Sequence, residues 1–315
     1  SFDFAAYNTN TFDQIMTIEV SRATGYRYKT LNGGEVNNKG LEVALGGDII
    51  RNPNGLNWKA SLNWSKNVSE VISLVEGVDN FVIASYQGGI SVNAKVGEPF
   101  GVLKGTGFQI DPASGKRVVN SSGYYIAVPD QVIGNPNPDW MGGLTNTLSY
   151  KGVSLSFLID MSKGGDVYSL DMHYGQGTGV PASTVGTNDL GNDWRLPVSQ
   201  GGGIKLDGVK EDGTPNDVYA RADYYGGVFY WGNSSRNPGE LTVYDATYVK
   251  LREASITYSL PKSILGNAIQ NVNLSVVGRN LWIMHKNLPY ADPESGLGAG
   301  NAQGYVSGSY PTTRS

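Results

Sequence analysis

The sequence has no cysteine, only two histidines, and no apolar run approaching the ~20 residues that a membrane helix needs. Without cysteine there is neither a disulfide framework nor a thiol-liganded metal. His173 and His285 fall in predicted loops, far apart and without metal-ligand spacing, so both read as surface or structural residues. Charged residues make up 17% and the net charge is -4, so nothing draws the chain to nucleic acid. Mean hydropathy is -0.27, as in a soluble protein. That value is a poor guide for a β-barrel, whose strands are short and only half apolar. Ser1 is not followed by the basic and apolar regions of a signal peptide. Instead Phe2, Phe4 and Ala6 alternate at once with Asp3, Ala5 and Tyr7, so the chain reads as a segment of a longer precursor that starts in mid-strand.

What is abundant is glycine, with 43 residues, and tyrosine, with 19, arranged in short alternating stretches. Leu41, Val43, Leu45 and Ile49 share one strand face against Glu42, Ala44 and Asp48. Trp58, Ala60, Leu62 and Trp64 likewise oppose Asn57, Lys59, Ser61, Asn63 and Ser65. Seven such strands are predicted: 1–15, 39–50, 56–71, 140–150, 153–161, 246–260 and 271–283. Phase slips in the sixth, from Val249 and Leu251 to Ala254, Ile256 and Tyr258, which predicts a β-bulge near Arg252. Short turns at 50–56, 151–152 and 261–270 alternate with long connections at 16–38, 72–139, 162–245 and 284–315.

That strict alternation predicts an all-β fold, an antiparallel transmembrane β-barrel wall with short periplasmic turns and long extracellular loops. A soluble sandwich would scatter long loops over both ends. A long loop without structure would count against a compact domain unless it serves function, and outer loops of this kind usually carry strands of their own. Tyr7, Trp58, Trp64, Trp140, Tyr150, Tyr248, Tyr258 and Trp282 lie near strand ends, where an interfacial aromatic girdle belongs. The alternative is ordinary strand preference for aromatic residues. Seven strands cannot close a barrel without leaving edges unpaired in lipid. Residues 311–315 read as the start of an eighth.

Six stretches in order resemble one family. They are Tyr7–Ile15 with its Asp13-x-Ile15 ending, Asn32–Glu42 with Asn38-Lys39-Gly40-x-Glu42, and Val96–Gly101 followed by Gly107-Phe108 and Asp111. The others are Ile133–Gly143 (IGNPNPDWMGG), Tyr248–Glu253 followed by Tyr258–Pro261, and Gly278–Leu281 followed by Asp292-Pro293-Glu294. Together they are similar to the C-terminal part of SusC/RagA-type TonB-dependent outer-membrane transporters of Bacteroidota. The resemblance covers nearly the whole chain. It implies residues 1–315 of a large plugged barrel, of which seven or eight strands are here and the plug and early strands are not. It also implies outer-membrane import, a SusD-like surface lipoprotein as lid, and TonB–ExbB–ExbD coupling through the N-terminal part.

No catalytic constellation, metal site or cofactor site stands out, and the chain reads as a transporter part rather than an enzyme. Asn63, Asp160, Lys250 and Arg252 are the predicted lumen-facing polar residues, with Lys250 and Arg252 on one face. Asp292-Pro293-Glu294 shapes a turn, and its two carboxylates fall short of a Ca²⁺ shell. Trp194, Tyr224, Tyr225, Tyr230 and Trp231 lie among Gly, Asn and Asp in the longest loop. They suit a sugar or peptide ligand, or they pack the loop onto itself or onto the lid. The expected cargo is oligosaccharide first and oligopeptide second. The alternative reading is a soluble or surface-exposed β-rich glycan-binding module or adhesin.

Overall fold

The computed structural model describes residues 1–19, 23, 25–222, 227–229, 237–265, 269–296 and 300–308. In chain order the strands are β1 (Phe2–Thr11), β2 (Ile15–Glu19), β3 (Tyr28–Asn32), β4 (Glu35–Ile50), β5 (Asn57–Ser73) and β6 (Asn80–Tyr86). Next come β7 (Ile90–Lys95), β8 (Val102–Phe108), β9 (Val118–Val119), β10 (Ala127–Gly134), β11 (Pro138–Tyr150) and β12 (Val153–Gly164). After β13 (Asp166–Ser169) a helix α1 (Leu170–Thr178) precedes β14 (Val209–Lys210), β15 (Val243–Asp245) and β16 (Tyr248–Ser259). The chain ends through α2 (Lys262–Leu265), β17 (Asn273–Lys286) and β18 (Tyr305–Val306).

The seven predicted strands form one antiparallel sheet in the order β1-β4-β5-β11-β12-β16-β17. Strand register carries an apolar row straight across it: Phe2, Leu45, Leu62, Leu144, Ile159, Leu251 and Trp282 are successive Cα partners. Phe2 is 70% exposed and Val276, on the same face, 79% exposed. A sheet that buried this face in a soluble core would show neither value. Side chains point alternately to the two faces. The other face therefore carries the row Ala44, Asn63, Gly143, Asp160 and Lys250. One face is for lipid and the other for the lumen.

On β11 the lipid face runs from Trp140 to Tyr150. At about 3.4 Å per residue and about 45° of tilt, those ten steps span about 24 Å, the height of an outer-membrane apolar band. Trp140, Trp64 and Trp282 lie toward one end of that band, and Trp58, Tyr150 and Tyr258 toward the other. Tyr7 and Tyr248 do not join the girdle. Parity with Ala6 and Val249 turns both inward, Tyr7 onto Gly40 and Asn67 and Tyr248 onto Ser162. Nearness to a strand end is visible in sequence; which face a residue takes follows from register.

The short turns are tight for a physical reason. Lys151 and Gly152 have φ of 46° and 85°, the paired left-handed conformation that matches strand twist in a two-residue hairpin. The first predicted strand is shorter than expected. It stops at Thr11; Asp13 takes φ 54°, and Ile15 begins the separate β2–β3 hairpin. Asp tolerates that conformation where most residues do not. The bulge expected near Arg252 is present: Leu158 pairs with Glu253 and Ile159 with Leu251, leaving Arg252 unpaired between them.

The long connections hold structure of their own. Residues 72–139 build a four-stranded sheet in the order β10-β8-β7-β6. β13 joins β15 and β18, and β9 pairs in parallel with β14, Val118 with Val209 and Val119 with Lys210. Neither histidine is in a loop: His173 lies on α1, and His285 lies on β17, paired with Val249. β1 and β17 are the edges of the wall, without a further strand partner among the described residues. Residues 311–315 lie outside those described.

Candidate functional site

The inner face of β16 gathers the strongest charge cluster of the described residues. Its Lys250 ammonium lies 2.5 Å from both Asp292 and Glu294, and the Lys250 and Asp292 side chains are almost wholly buried. The Arg252 guanidinium donates to Asp160 on β12 and lies 2.7 Å from both Glu294 oxygens. It also reaches Asn280 at 3.2 Å. Tyr248 donates its hydroxyl toward Asp160 and Glu294 at 3.2 and 3.3 Å. Strand alternation and the bulge together set the geometry. Lys250 and Arg252 share the inner face by alternation, and the bulge leaves Arg252 out of the β12 ladder, so that both reach Asp292–Glu294 beyond β17.

Each of the three carboxylates here is paired with Lys250 or Arg252. Burial pushes the Glu294 carboxyl up, but the donors of Arg252 and Lys250 outweigh it and hold the group below its ordinary range. A carboxylate held ionised between two cations has no proton to give and little basicity. The cluster is thus a latch that fixes the chain after β17 against the wall. Beyond it, Leu288 and Val306 pack with Val167, and β18 pairs with β13. The Tyr305 ring stacks between Tyr86, at 4.1 Å, and Tyr168, at 5.8 Å. One segment therefore ties together the wall, the 72–139 unit and the 162–245 unit.

Two sequence motifs make further ties. The turn of Val96–Gly101 hooks onto the projecting end of β5: Val71 donates to Glu98 and accepts from Gly97, and Phe100 donates to Ser69. The Asn135-Pro136-Asn137-Pro138 stretch locks onto the β12–β13 junction, where Asn135 and Asp166 exchange two hydrogen bonds at 2.7 and 2.8 Å. Gly165 is required there, since a Cβ would come within 2.9 Å of the Pro136 carbonyl. Burial pushes the Asp166 carboxyl up despite the Asn135 N–H, and Asp245 and Asp139 add to the rise. Burial alone lowers the pKa of His173, which packs by its ring against Tyr168 and Tyr174.

Of the residues singled out in sequence, the structure brings Asp160, Lys250 and Arg252 together. Asn63 is in the same row but its carboxamide lies over Gly143. Trp194 is half-buried and packs against Ala220, Ala222 and Val228, with its ring 6.4 Å from Phe229, so it holds the loop together. Tyr224, Tyr225, Tyr230 and Trp231 lie outside the described residues. Sequence reasoning missed the part of Asp292 and Glu294. The signal was the complementarity of Lys-x-Arg on β16 with Asp-Pro-Glu beyond β17.

No protein-family model matches the chain. A TonB-dependent receptor of Formosa agariphila is 29% identical over 98% of this chain and 31% of its own length. A second TonB-dependent receptor of that organism is 27% identical over all of this chain and 31% of its own. Among solved structures, the RagAB peptide importer in its open-open state superposes with a TM-score of 0.67 at 19% identity. That match covers 99% of this chain and 31% of the importer chain. The closed-closed state gives 0.66 at 20% identity, covering 99% and 32%. The chain is a relative of TonB-dependent receptors. It spans about a third of the length of the curated receptors it matches. The chain shares the fold of that importer's barrel wall, and its exposed apolar band is the face suited to the outer membrane.

Proposed function

We propose that this chain forms wall and outer loops of a TonB-dependent importer for oligomeric nutrients. The observation that carries this reading is the two-faced wall. One face holds an apolar row in register across seven strands, and the other holds the Lys250–Arg252 latch that draws an outer loop inward. Cargo is captured at the outer loops and passes along the polar face once the barrel opens. A SusD-like surface lipoprotein acts as lid, and TonB–ExbB–ExbD supplies energy. Oligosaccharide is the first cargo class. Peptide is second, and it is the cargo named for the RagAB importer. Transport without chemistry is favoured because the central carboxylates are engaged in ion pairs with Lys250 and Arg252.

The soluble binding module fits less well, because it would bury the face on which Phe2 and Val276 are exposed. The test is to delete the receptor gene and follow growth on single oligosaccharides and oligopeptides, with fractionation of the tagged protein. The importer reading expects outer-membrane location, loss of growth on one substrate, and the same loss when TonB is removed. Normal growth on every substrate, or a tagged protein that fractionates without detergent, overturns it.

A further inference from the structure

The inner face of β4 and β5 keeps its polar character above the membrane band, and a second site opens there. A cleft of about 240 Å³ lies between Asn38 and Asn67 on the wall, Asn137 before β11, Asn301 before β18 and Gln14 beyond β1. Ser69, Val36 and Phe100 complete it. Five carboxamides from four separate chain regions converge, and no lining residue is charged. The wall side is braced: Tyr7 donates to Asn67 at 3.0 Å, and Asn137 donates to the Phe100 carbonyl at 2.9 Å. The side chains of Gln14 and Asn301, and the Nδ2 of Asn38, make no hydrogen bond within the described residues.

These features select among ligands. Without a cation or a carboxylate, the cleft offers nothing to a phosphate, a sulfate or an ammonium. A peptide bound through its backbone seeks the free edge of a sheet. β4 is flanked on both sides, by β1 and β5, so it has none to give. A carboxamide presents a donor beside an acceptor. That pair matches a hydroxyl, which is itself both, and the Phe100 ring and Val36 supply an apolar surface for C–H groups. The volume is near eight times the ~30 Å³ share of one liquid water, enough for one monomer unit rather than a chain.

We propose that this cleft is a subsite for one uncharged sugar residue of the cargo. The inference rests on the importer reading. The test titrates the intact receptor in detergent with trimers of glucose, mannose, galactose and xylose, with trigalacturonate, and with Gly-Ser-Gly. Asn38→Leu and Asn301→Leu remove donors and acceptors at nearly constant volume. One neutral trimer should bind, and each variant should weaken it about fivefold, the loss of one net hydrogen bond. A far-lipid-side variant, Leu41→Val, should leave that affinity unchanged. Binding of only trigalacturonate or Gly-Ser-Gly, binding of no neutral trimer, or a neutral affinity indifferent to both variants overturns the subsite. TonB-dependent uptake in whole cells is scored separately. An intact uptake phenotype with an indifferent cleft removes the subsite and leaves the importer.

Discussion

Glu294, on the turn beyond β17, lies 2.7 Å from the Arg252 guanidinium at the bulge of β16. The two are 42 residues apart, and between them the chain leaves the wall and returns to it. A bulge that would merely disturb a ladder here re-aims a cation at a loop. Lys250 and Asp292 repeat the tie one step deeper.

Lys250→Met tests the deeper pair. The Lys250 and Asp292 side chains are only 4% and 5% exposed. Removing the ammonium leaves the buried Asp292 carboxyl without its cation, and breaking such a pair costs about 3–5 kcal/mol. Adding Asp292→Asn keeps the acceptor for the Glu294 N–H, a 3.0 Å bond, and removes the stranded carboxyl. The double variant should regain most of the loss. Urea midpoints of the receptor, with chymotrypsin cleavage at Tyr290 and Tyr305, give both results; equal instability of single and double variants refutes the pair.

Acid should act oppositely on two loop carboxylates. Glu294 is held below its ordinary 4.5, so its stabilisation is complete above that pH and is lost as pH falls through the folded value. Asp166 is held above its ordinary 3.8, chiefly by burial. Its neutral form is favoured by folding, a contribution present below 3.8 and lost as pH rises through the folded value. Glu294→Gln should therefore weaken the loops at neutral pH and converge on the parent in acid. Asp166→Asn should strengthen them at neutral pH, with a gain that fades below pH 3.8. Thermal melts from pH 3 to 8 separate the two, and parallel profiles would contradict both assignments.

Gly40 should tolerate no side chain. Its Cβ would overlap the Tyr7 ring, whose hydroxyl bonds Asn67. Gly40→Ala must push the ring aside, a strain of about 1–3 kcal/mol. Tyr7→Ala in the same chain removes the overlap, so the double variant should be less affected by the alanine than the parent is. Equal melting shifts in both backgrounds would show that the ring is not what Gly40 accommodates.

The wall was legible because its signal is local. Period-two alternation from Leu41 to Ile49 and from Trp58 to Trp64 needs only neighbours in sequence, and so does the phase slip at Arg252. Faces were less legible where parity had to be counted through a break, as for Tyr7 and Tyr248. The site was least legible, because it depends on distant partners. Asp292 and Glu294 look like turn residues until β16 is placed beside them. Asn38, Asn137 and Asn301 are ordinary loop or strand polar residues until three segments meet. The loop strands β9 and β14 are two residues each and exist only because they pair with one another.

Which face meets lipid can be decided at adjacent positions. Leu144 is partnered by Leu62 and Ile159, near the middle of the apolar band. Thr145 is next to it and points the other way, partnered by Ser61 and Leu158, with Glu253 one strand further on. An arginine on the lipid face at mid-membrane depth costs about 2–4 kcal/mol, whereas one in a wet lumen keeps its hydration. Leu144→Arg should therefore reduce the folded receptor recovered from outer membranes, read by heat-modifiable gel mobility. Thr145→Arg should assemble near the parent level, and its guanidinium has Glu253 within the same row. If the two variants exchanged behaviour, the lumen and lipid faces would be reversed and the Lys250–Arg252 latch would lie in the bilayer, where its charges would be untenable.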